Sequence, residues 1–258
     1  MSEFQENCTV VAVEQLADTF YRLTLAALQI APASHPGQFV MVACSPGLNP
    51  LLRRPFSVHR RCDPDRIQLL FRVVGQGTEL LAAKKPGDVL NLIGPLGRGF
   101  TVDAADPVCL IGGGIGIAPL LFLAEQLRMT RRACTVLLGS RTAAELYRLT
   151  ADFIECGCEV EIATDDGSAG YHGLVTDLLP RRLSAMKRCY ACGPKPMMAT
   201  TALLCQAARV PCQVSLEAHM ACGLGACLGC TVHGVENGYL HICRQGPVLN
   251  AEEVAWNR

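Results

Sequence analysis

Short apolar or alternating runs fill residues 1–100: Cys8–Val13, Tyr21–Ala26, Gln38–Ala43, Phe56–His59, Ile67–Val73 and Val89–Ile93. Pro36-Gly37, Pro46-Gly47, Pro86-Gly87 and Gly94-Pro95 punctuate them. Many short strands at such spacing predict a small antiparallel barrel or sandwich. One helix fits among them, Thr78–Lys85, opened by Gly75-Gln76-Gly77 and stopped by Pro86-Gly87.

The rhythm changes after residue 100. Predicted strands at Val108–Ile111, Thr135–Leu138, Glu159–Thr164 and Arg188–Ala191 alternate with helices at Ile117–Met129, Ala143–Glu155, Leu174–Leu179 and Met197–Ala208. Alternation of this kind builds a parallel sheet with covered faces, whose ligands sit at the carboxyl ends of the strands. Residues 213–258 carry cysteines and glycines but little helical pattern. The expected fold class is therefore mixed β and α/β: a barrel over 1–100, an α/β domain over 101–212 and a small cysteine-bearing domain over 213–258.

Composition narrows the choice. Half of the 258 residues are hydrophobic, which excludes a disordered chain. Lys and Arg balance Asp and Glu at 23 each, so no nucleic-acid footprint is expected. Pro107–Ala124 is uncharged, but Gly112, Gly113, Gly114, Gly116 and Pro119 interrupt it. It reads as strand, turn and helix rather than a membrane span. The start, Met-Ser-Glu-Phe-Gln-Glu, has no signal-peptide pattern, so a cytoplasmic chain with reduced thiols is expected. That leaves 15 cysteines to explain.

Four of them form the sharpest motif. Cys222, Cys227 and Cys230, followed by Cys243, match C-x4-C-x2-C…C, the plant-type spacing for a [2Fe–2S] cluster. Gly223, Gly225, Ala226 and Gly229 keep the loop small enough for backbone amides to approach cluster sulfurs. A four-cysteine zinc site is the competing metal reading, and a loop of free thiols the bland one. Cys109, Cys134 and Cys205 fall in apolar elements and read as small hydrophobic filler. Cys189-Tyr-Ala-Cys192 is formally C-x-x-C, yet it lies in a predicted strand rather than at a helix start, which weakens a redox reading. Cys192 ends that strand just before Gly193-Pro194, which places it near a bound ligand.

Two further segments suit nucleotides. Gly112-Gly113-Gly114-Ile115-Gly116-Ile117-Ala118-Pro119 follows a strand and opens a helix, where backbone N–H groups and the helix dipole attract a pyrophosphate. Ile117 stands where a third fingerprint glycine would be, so a tight turn is the alternative. Arg141, at the end of the second strand, is either a partner for a 2′-phosphate or an ordinary loop arginine. In the first region, Arg54-Pro55-Phe56-Ser57 places a cation and a hydroxyl on one strand, and Gly77-Thr78 opens a helix. Together they suit a second pyrophosphate-bearing cofactor, with a surface arginine and a plain helix cap as the alternative.

These motifs resemble the ferredoxin–NADP reductase superfamily: Arg54–Ser57, Gly75-Gln76-Gly77-Thr78, Gly94-Pro95-Leu96-Gly97, Gly112–Pro119 and Cys192-Gly193-Pro194. The run Ser215–Cys230, with Cys243-Arg244-Gln245-Gly246-Pro247, is similar to the electron-transfer subunits of bacterial dihydroorotate dehydrogenase B, and the likeness spans essentially the whole chain. Phe56 stands where an aliphatic residue is common, and Gln245 where Asp is common.

The resemblance implies FAD on the barrel, NAD on the α/β domain and a [2Fe–2S] cluster held by Cys222, Cys227, Cys230 and Cys243. It implies that Arg54, Pro55, Phe56 and Ser57 line the isoalloxazine and phosphate. Leu70, Phe71 and Arg72 would lie along the flavin, and Gly77 and Thr78 would hold its pyrophosphate. Gly112, Gly113, Gly114, Gly116 and Cys192 would serve NAD. The implied partner is an FMN-containing catalytic subunit that oxidises dihydroorotate, in a heterotetramer with two of each subunit. The implied activity is electron transfer from that FMN through the cluster and FAD to NAD+, in pyrimidine (UMP) biosynthesis, with no general acid or base in this chain. The alternatives are a flavin and [2Fe–2S] reductase subunit of another redox complex, hydrogenase- or ferredoxin-linked, and a non-enzymatic zinc-binding module.

Overall fold

The computed structural model describes residues 2–236 and 238–256. Strands β1 (Phe4–Gln15), β2 (Phe20–Ala26), β3 (Phe39–Val42), β4 (Arg54–Cys62), β5 (Arg66–Arg72) and β6 (Val89–Leu96) close into a barrel in the spatial order β1-β2-β5-β4-β3-β6. The strand pairs are antiparallel. Short helix α1 (Ile30–Ala33) follows β2, and α2 (Gln76–Ala82) bridges β5 and β6. Inward residues such as Val10, Leu23, Leu25, Val40, Ile67 and Leu69 fill the barrel, as strand alternation requires.

The second sheet has the order β10-β9-β8-β7-β11-β12-β15. Its strands are β7 (Val108–Gly113), β8 (Cys134–Ser140), β9 (Glu159–Thr164), β10 (Tyr171–His172), β11 (Arg188–Cys192), β12 (Cys212–Ser215) and β15 (Val248–Asn250). All neighbours are parallel except β12 and β15. Every residue of β7 and β8 is buried, the mark of a strand covered on both faces. The covering helices are α3 (Leu120–Met129), α4 (Ala143–Glu155), α5 (Pro180–Leu183) and α6 (Lys195–Ala208). Between β12 and β15 lie the hairpin β13 (Thr231–His233) and β14 (Tyr239–His241), then α7 (Ile242–Gln245).

Pro107–Ala124 splits into β7, a 3-10 turn over Gly114–Ile117 and the start of α3. That turn delays α3 to Leu120, three residues after the expected start. Leu174–Leu179 is a 3-10 turn at Val175–Asp177 that leads into α5. Among the described residues, no helix is long and apolar enough to cross a membrane. The sheet continues past residue 212 through β12 and takes in β15, strands of four and three residues that carry no readable period.

The parts share buried surface. Phe122 of α3 packs into the barrel's cluster, while Phe20, Leu70 and Phe100 pack with α3 and β7. Cys230, Leu240, Ile242 and Cys243 join Phe39, Met41 and Leu96 of the barrel in the third cluster. Cys109, Cys189 and Cys212 stand side by side across β7, β11 and β12, with Cys205 of α6 in the same core. There the thiols act as small apolar groups.

Candidate functional site: two adjoining cavities and a cysteine loop

The first cavity, of about 600 Å³, opens between the barrel and the C-terminal segment. Its barrel wall holds Arg54, Pro55, Phe56, Ser57, Leu70, Phe71, Arg72, Gly77 and Thr78, so every barrel residue expected to meet a cofactor faces one space. β4 presents the first four and β5 the next three, and α2 opens beside them. Gly77 packs beside the Arg54 side chain: a Cβ there would stand in ordinary contact, 3.4 Å from its Cγ and Nε. Thr78 works within the turn that opens α2. Its Oγ accepts from the amides of Val74 (2.9 Å) and Gly75 (3.2 Å) and donates to the Gly75 carbonyl (2.8 Å). Thr78 therefore shapes the cradle, and its hydroxyl is already committed. Phe56 meets Phe71 at 5.6 Å in a tilted pair and gives the cavity an aromatic side.

The opposite wall is Ser215, Leu216, Glu217, Ala218, His219 and Met220. Residue patterns alone give these no ligand-facing role. The available signal is positional: they leave the carboxyl end of a parallel strand, where ligands collect. β12, at four residues, is too short to show a period, which hides that signal in the sequence. His219, which reads as packing or surface, faces this cavity.

The second cavity, of about 370 Å³, lies over the carboxyl ends of β7 and β11. Gly113, Gly114 and Gly116 line it, with Gly193, Pro194 and Lys195 opposite. A Cβ on Gly116 would come within 2.4 Å of the Gly193 Cα, so the two turns touch backbone to backbone. Gly114 has φ +54° with open space beside it. This is a bare-backbone floor suited to a pyrophosphate. Gly112 and Cys192 are placed differently: neither lines this cavity or the first. A Cβ on Gly112 would collide with Ile117 at 2.9 Å, so that glycine serves packing within β7. Cys192 is only 2% exposed, and burial pushes its thiol well above the usual range. Arg141 is exposed and paired with Glu145 at 2.8 Å.

Arg72, Ile115, Leu216 and Glu217 line both cavities, which therefore adjoin. Glu217 borders this junction, and partial loss of water raises its carboxyl above the usual carboxylate range.

The cysteine loop rests on the barrel beside them. A Cβ on Gly223 (φ +73°) would meet Met41 of β3 at 2.5 Å, and one on Gly225 (φ +80°) would meet Arg244 of α7 at 2.9 Å. Glycine is required at both by conformation and by contact. Backbone amides converge on sulfur: Leu224 and Cys227 donate to Cys222 Sγ at 3.4 Å, Gly225 to Cys243 Sγ at 3.1 Å, and Cys243 to Cys230 Sγ at 3.3 Å. The Cys227 amide is the main cause that lowers the Cys222 thiol to about 6. Burial, then Cys230, pushes Cys243 up to about 12.

Two of the thiols stand close together. The Cys230 and Cys243 sulfurs are 3.1 Å apart, and the Cys227 backbone amide donates to Cys222 Sγ at 3.4 Å. Among the described residues, no three His, Cys, Asp or Glu side chains gather round one metal-sized point. The C-x4-C-x2-C…C spacing of the four thiols matches a two-iron cluster, in which four thiolates are shared between two irons. The amides aimed at sulfur fit the same cluster, because such hydrogen bonds stabilise added negative charge. Cys227 is exposed and Cys230 and Cys243 are buried, so one edge of the loop faces out.

Comparison with known proteins adds four findings. The family described as the iron–sulfur cluster binding domain of dihydroorotate dehydrogenase B matches residues 217–255. The chain is 43% identical over 257 residues to the dihydroorotate dehydrogenase B (NAD(+)) electron transfer subunit of Desulforamulus reducens, covering 97% of this chain and 98% of that one. It is 42% identical over 261 residues to the protein of the same name from Bacillus caldolyticus, with 97% and 98% covered. Among solved structures it is similar to the NADH-dependent reduced ferredoxin-NADP oxidoreductase, with a TM-score of 0.87, 30% identity, and 97% of this chain and 90% of that chain covered.

Proposed function

The chain belongs to the family of electron-transfer subunits of dihydroorotate dehydrogenase B, and on that premise we propose that it carries electrons from an FMN-bearing catalytic subunit, which oxidises dihydroorotate, by way of [2Fe–2S] and FAD to NAD+. The observation that carries this reading is the shared wall: Arg72, Ile115, Leu216 and Glu217 border both cavities, and the cysteine loop lies on the same barrel. When bound, the cluster supplies one-electron chemistry and the flavin exchanges electrons singly or in pairs.

The chain's own part is binding, orientation and tuning. Arg54 supplies a cation for the first cofactor's phosphates, Phe56 and Phe71 an apolar side, and Ser57 a hydroxyl at the cavity wall. Gly113, Gly114 and Gly116 present bare backbone to a dinucleotide pyrophosphate. Gly112 and Cys192 support that floor from beneath. Arg141 is exposed at the end of β8, paired with Glu145 of α4 at 2.8 Å. Cys222, Cys227, Cys230 and Cys243 hold the cluster, with amide hydrogen bonds tuning its charge.

The proposal extends to a cytoplasmic heterotetramer, two of each subunit, in UMP synthesis. Similarity to the ferredoxin-NADP oxidoreductase structure favours one alternative, a flavin and [2Fe–2S] reductase subunit of another redox complex. Co-expression with the catalytic subunit of dihydroorotate dehydrogenase B and assay with dihydroorotate tests both. The reading predicts reduction of NAD+ in preference to NADP+. A complex that reduces NAD+ with reduced ferredoxin but not with dihydroorotate would establish the alternative.

A further inference from the structure

His59 lies on β4 two residues beyond Ser57, and it is fully buried. Its Nδ1 stands 2.7 Å from the carbonyl oxygen of Ala118, the residue that leaves the Gly114–Ile117 turn. A carbonyl can only accept, so Nδ1 carries the proton, and full burial with no acceptor at Nε2 keeps the ring neutral. Nε2 is buried without a partner among the described residues. The imidazole therefore makes one directional bond, from the strand that lines the first cavity to the turn that floors the second. What hangs on that bond is Ile115, which borders both cavities, and Ala118, which borders the first.

Other cross-links tie the same two bodies farther along. Arg60 pairs with Glu125 at 2.6 Å, Arg22 pairs with Asp152, and the Arg61 guanidinium lies 5.8 Å from the Phe122 ring centroid. These hold α3 and α4 at residues 122, 125 and 152, beyond the turn, whereas His59 bonds at the turn's exit. A buried histidine that only filled space would not need the carbonyl. A leucine would fill the same space but leave the Ala118 oxygen without this donor.

We infer that His59 is a positioning residue for the dinucleotide site: its Nδ1–H bond to Ala118 holds the Gly114–Ile117 turn in the form that accepts NAD+. The inference rests on the assignment of the second cavity to NAD+. It concerns ground-state binding, so it is read without turnover.

The test uses the FAD-loaded full chain and measures NAD+ affinity by titration calorimetry, with FAD content and thermal midpoint recorded beside it. His59→Leu is expected to keep its FAD and to bind NAD+ about tenfold more weakly, the effect of one lost buried hydrogen bond. His59→Asn, which places an amide donor where Nδ1 stands, is expected to bind within about threefold of the wild type. Unchanged affinity in His59→Leu, or equal weakening in His59→Asn, would overturn the inference. Should His59→Leu lose FAD, His59→Asn is compared with His59→Gln, whose donor sits at the ε position. Tighter binding by Asn supports the inference, and equal binding overturns it. A wild type that bound no NAD+ would instead remove the assignment of the cavity.

Discussion

At the scale of single residues, the cysteines separate by what surrounds their sulfur. Cys222, Cys230 and Cys243 accept amide hydrogen bonds on sulfur in a glycine-shaped loop that also carries the exposed Cys227, whereas Cys109, Cys189, Cys205 and Cys212 pack where the central strands meet α6. Cys227→Ala is therefore expected to lose the visible iron–sulfur absorbance and keep FAD, checked by the absorption spectrum of the purified variant. The glycines separate in the same way. Gly116→Ala places a Cβ 2.4 Å from Gly193 Cα, backbone against backbone, where no flexible side chain can yield. We expect it to cost about 1–3 kcal/mol in urea unfolding, the scale of overpacking, and to weaken NAD+ binding.

His59 adds a pH signature. Burial, aided by nearby Arg22 and Arg60, lowers its pKa to about 3, while the unfolded ring titrates near 6.5. The unfolded state then binds more protons between those values. The stability from keeping this ring neutral is complete above about pH 6.5 and lost as pH falls toward about 3, at most about 4–5 kcal/mol. Denaturant unfolding at a series of pH values should show this slope in the wild type and a smaller one in His59→Asn. Identical slopes would remove His59 from the acid response.

At the scale of elements, legibility follows period and length. α4 at Ala143–Glu155 and β9 at Glu159–Thr164 stand where the pattern predicts them, because each carries several turns or a full alternation bounded by turn residues. β12, β13, β14 and β15 span only three or four residues each, too few to display a period, and they are fixed by tertiary pairing. The cost was functional as well as topological. Without β12 the ligand-facing place of Ser215–Met220 has no sequence signal, and Phe39, Val74 and Gln76 line the first cavity with none either, whereas Arg54–Ser57 and Gly77-Thr78 are legible as motifs and Leu70–Arg72 through the family resemblance. Gly112 and Cys192 were readable as neighbours of the second cavity, but not as residues beneath its surface, because a motif gives sequence adjacency and not which way a strand turns its face.

The packing of α4 on the barrel yields its own prediction. Arg22 on β2 and Asp152 on α4 form an ion pair with side chains 10% and 12% exposed. Desolvation raises the Asp152 carboxyl even beside its partner, so the pair is costly to bury and costly to break. Asp152→Asn leaves the Arg22 charge uncompensated and is expected to destabilise by about 3 kcal/mol, measured by urea unfolding. A change below about 0.5 kcal/mol would mean the pair behaves as a solvent-exposed one.

At the scale of the whole molecule, two cavities and the cysteine loop are built on one shared framework. The barrel carries the first cavity on β4 and β5 and the cysteine loop against β3, and the parallel sheet closes the second cavity against the first. Neutral net charge fits a chain whose main partner is another protein rather than a nucleic acid. The central claim is that this single chain holds both a two-iron cluster and a flavin. Analysis of anaerobically purified protein for iron, acid-labile sulfide and flavin tests it most directly. The account predicts about two irons, about two sulfides and about one FAD per chain. One zinc per chain, with neither sulfide nor flavin, would contradict it.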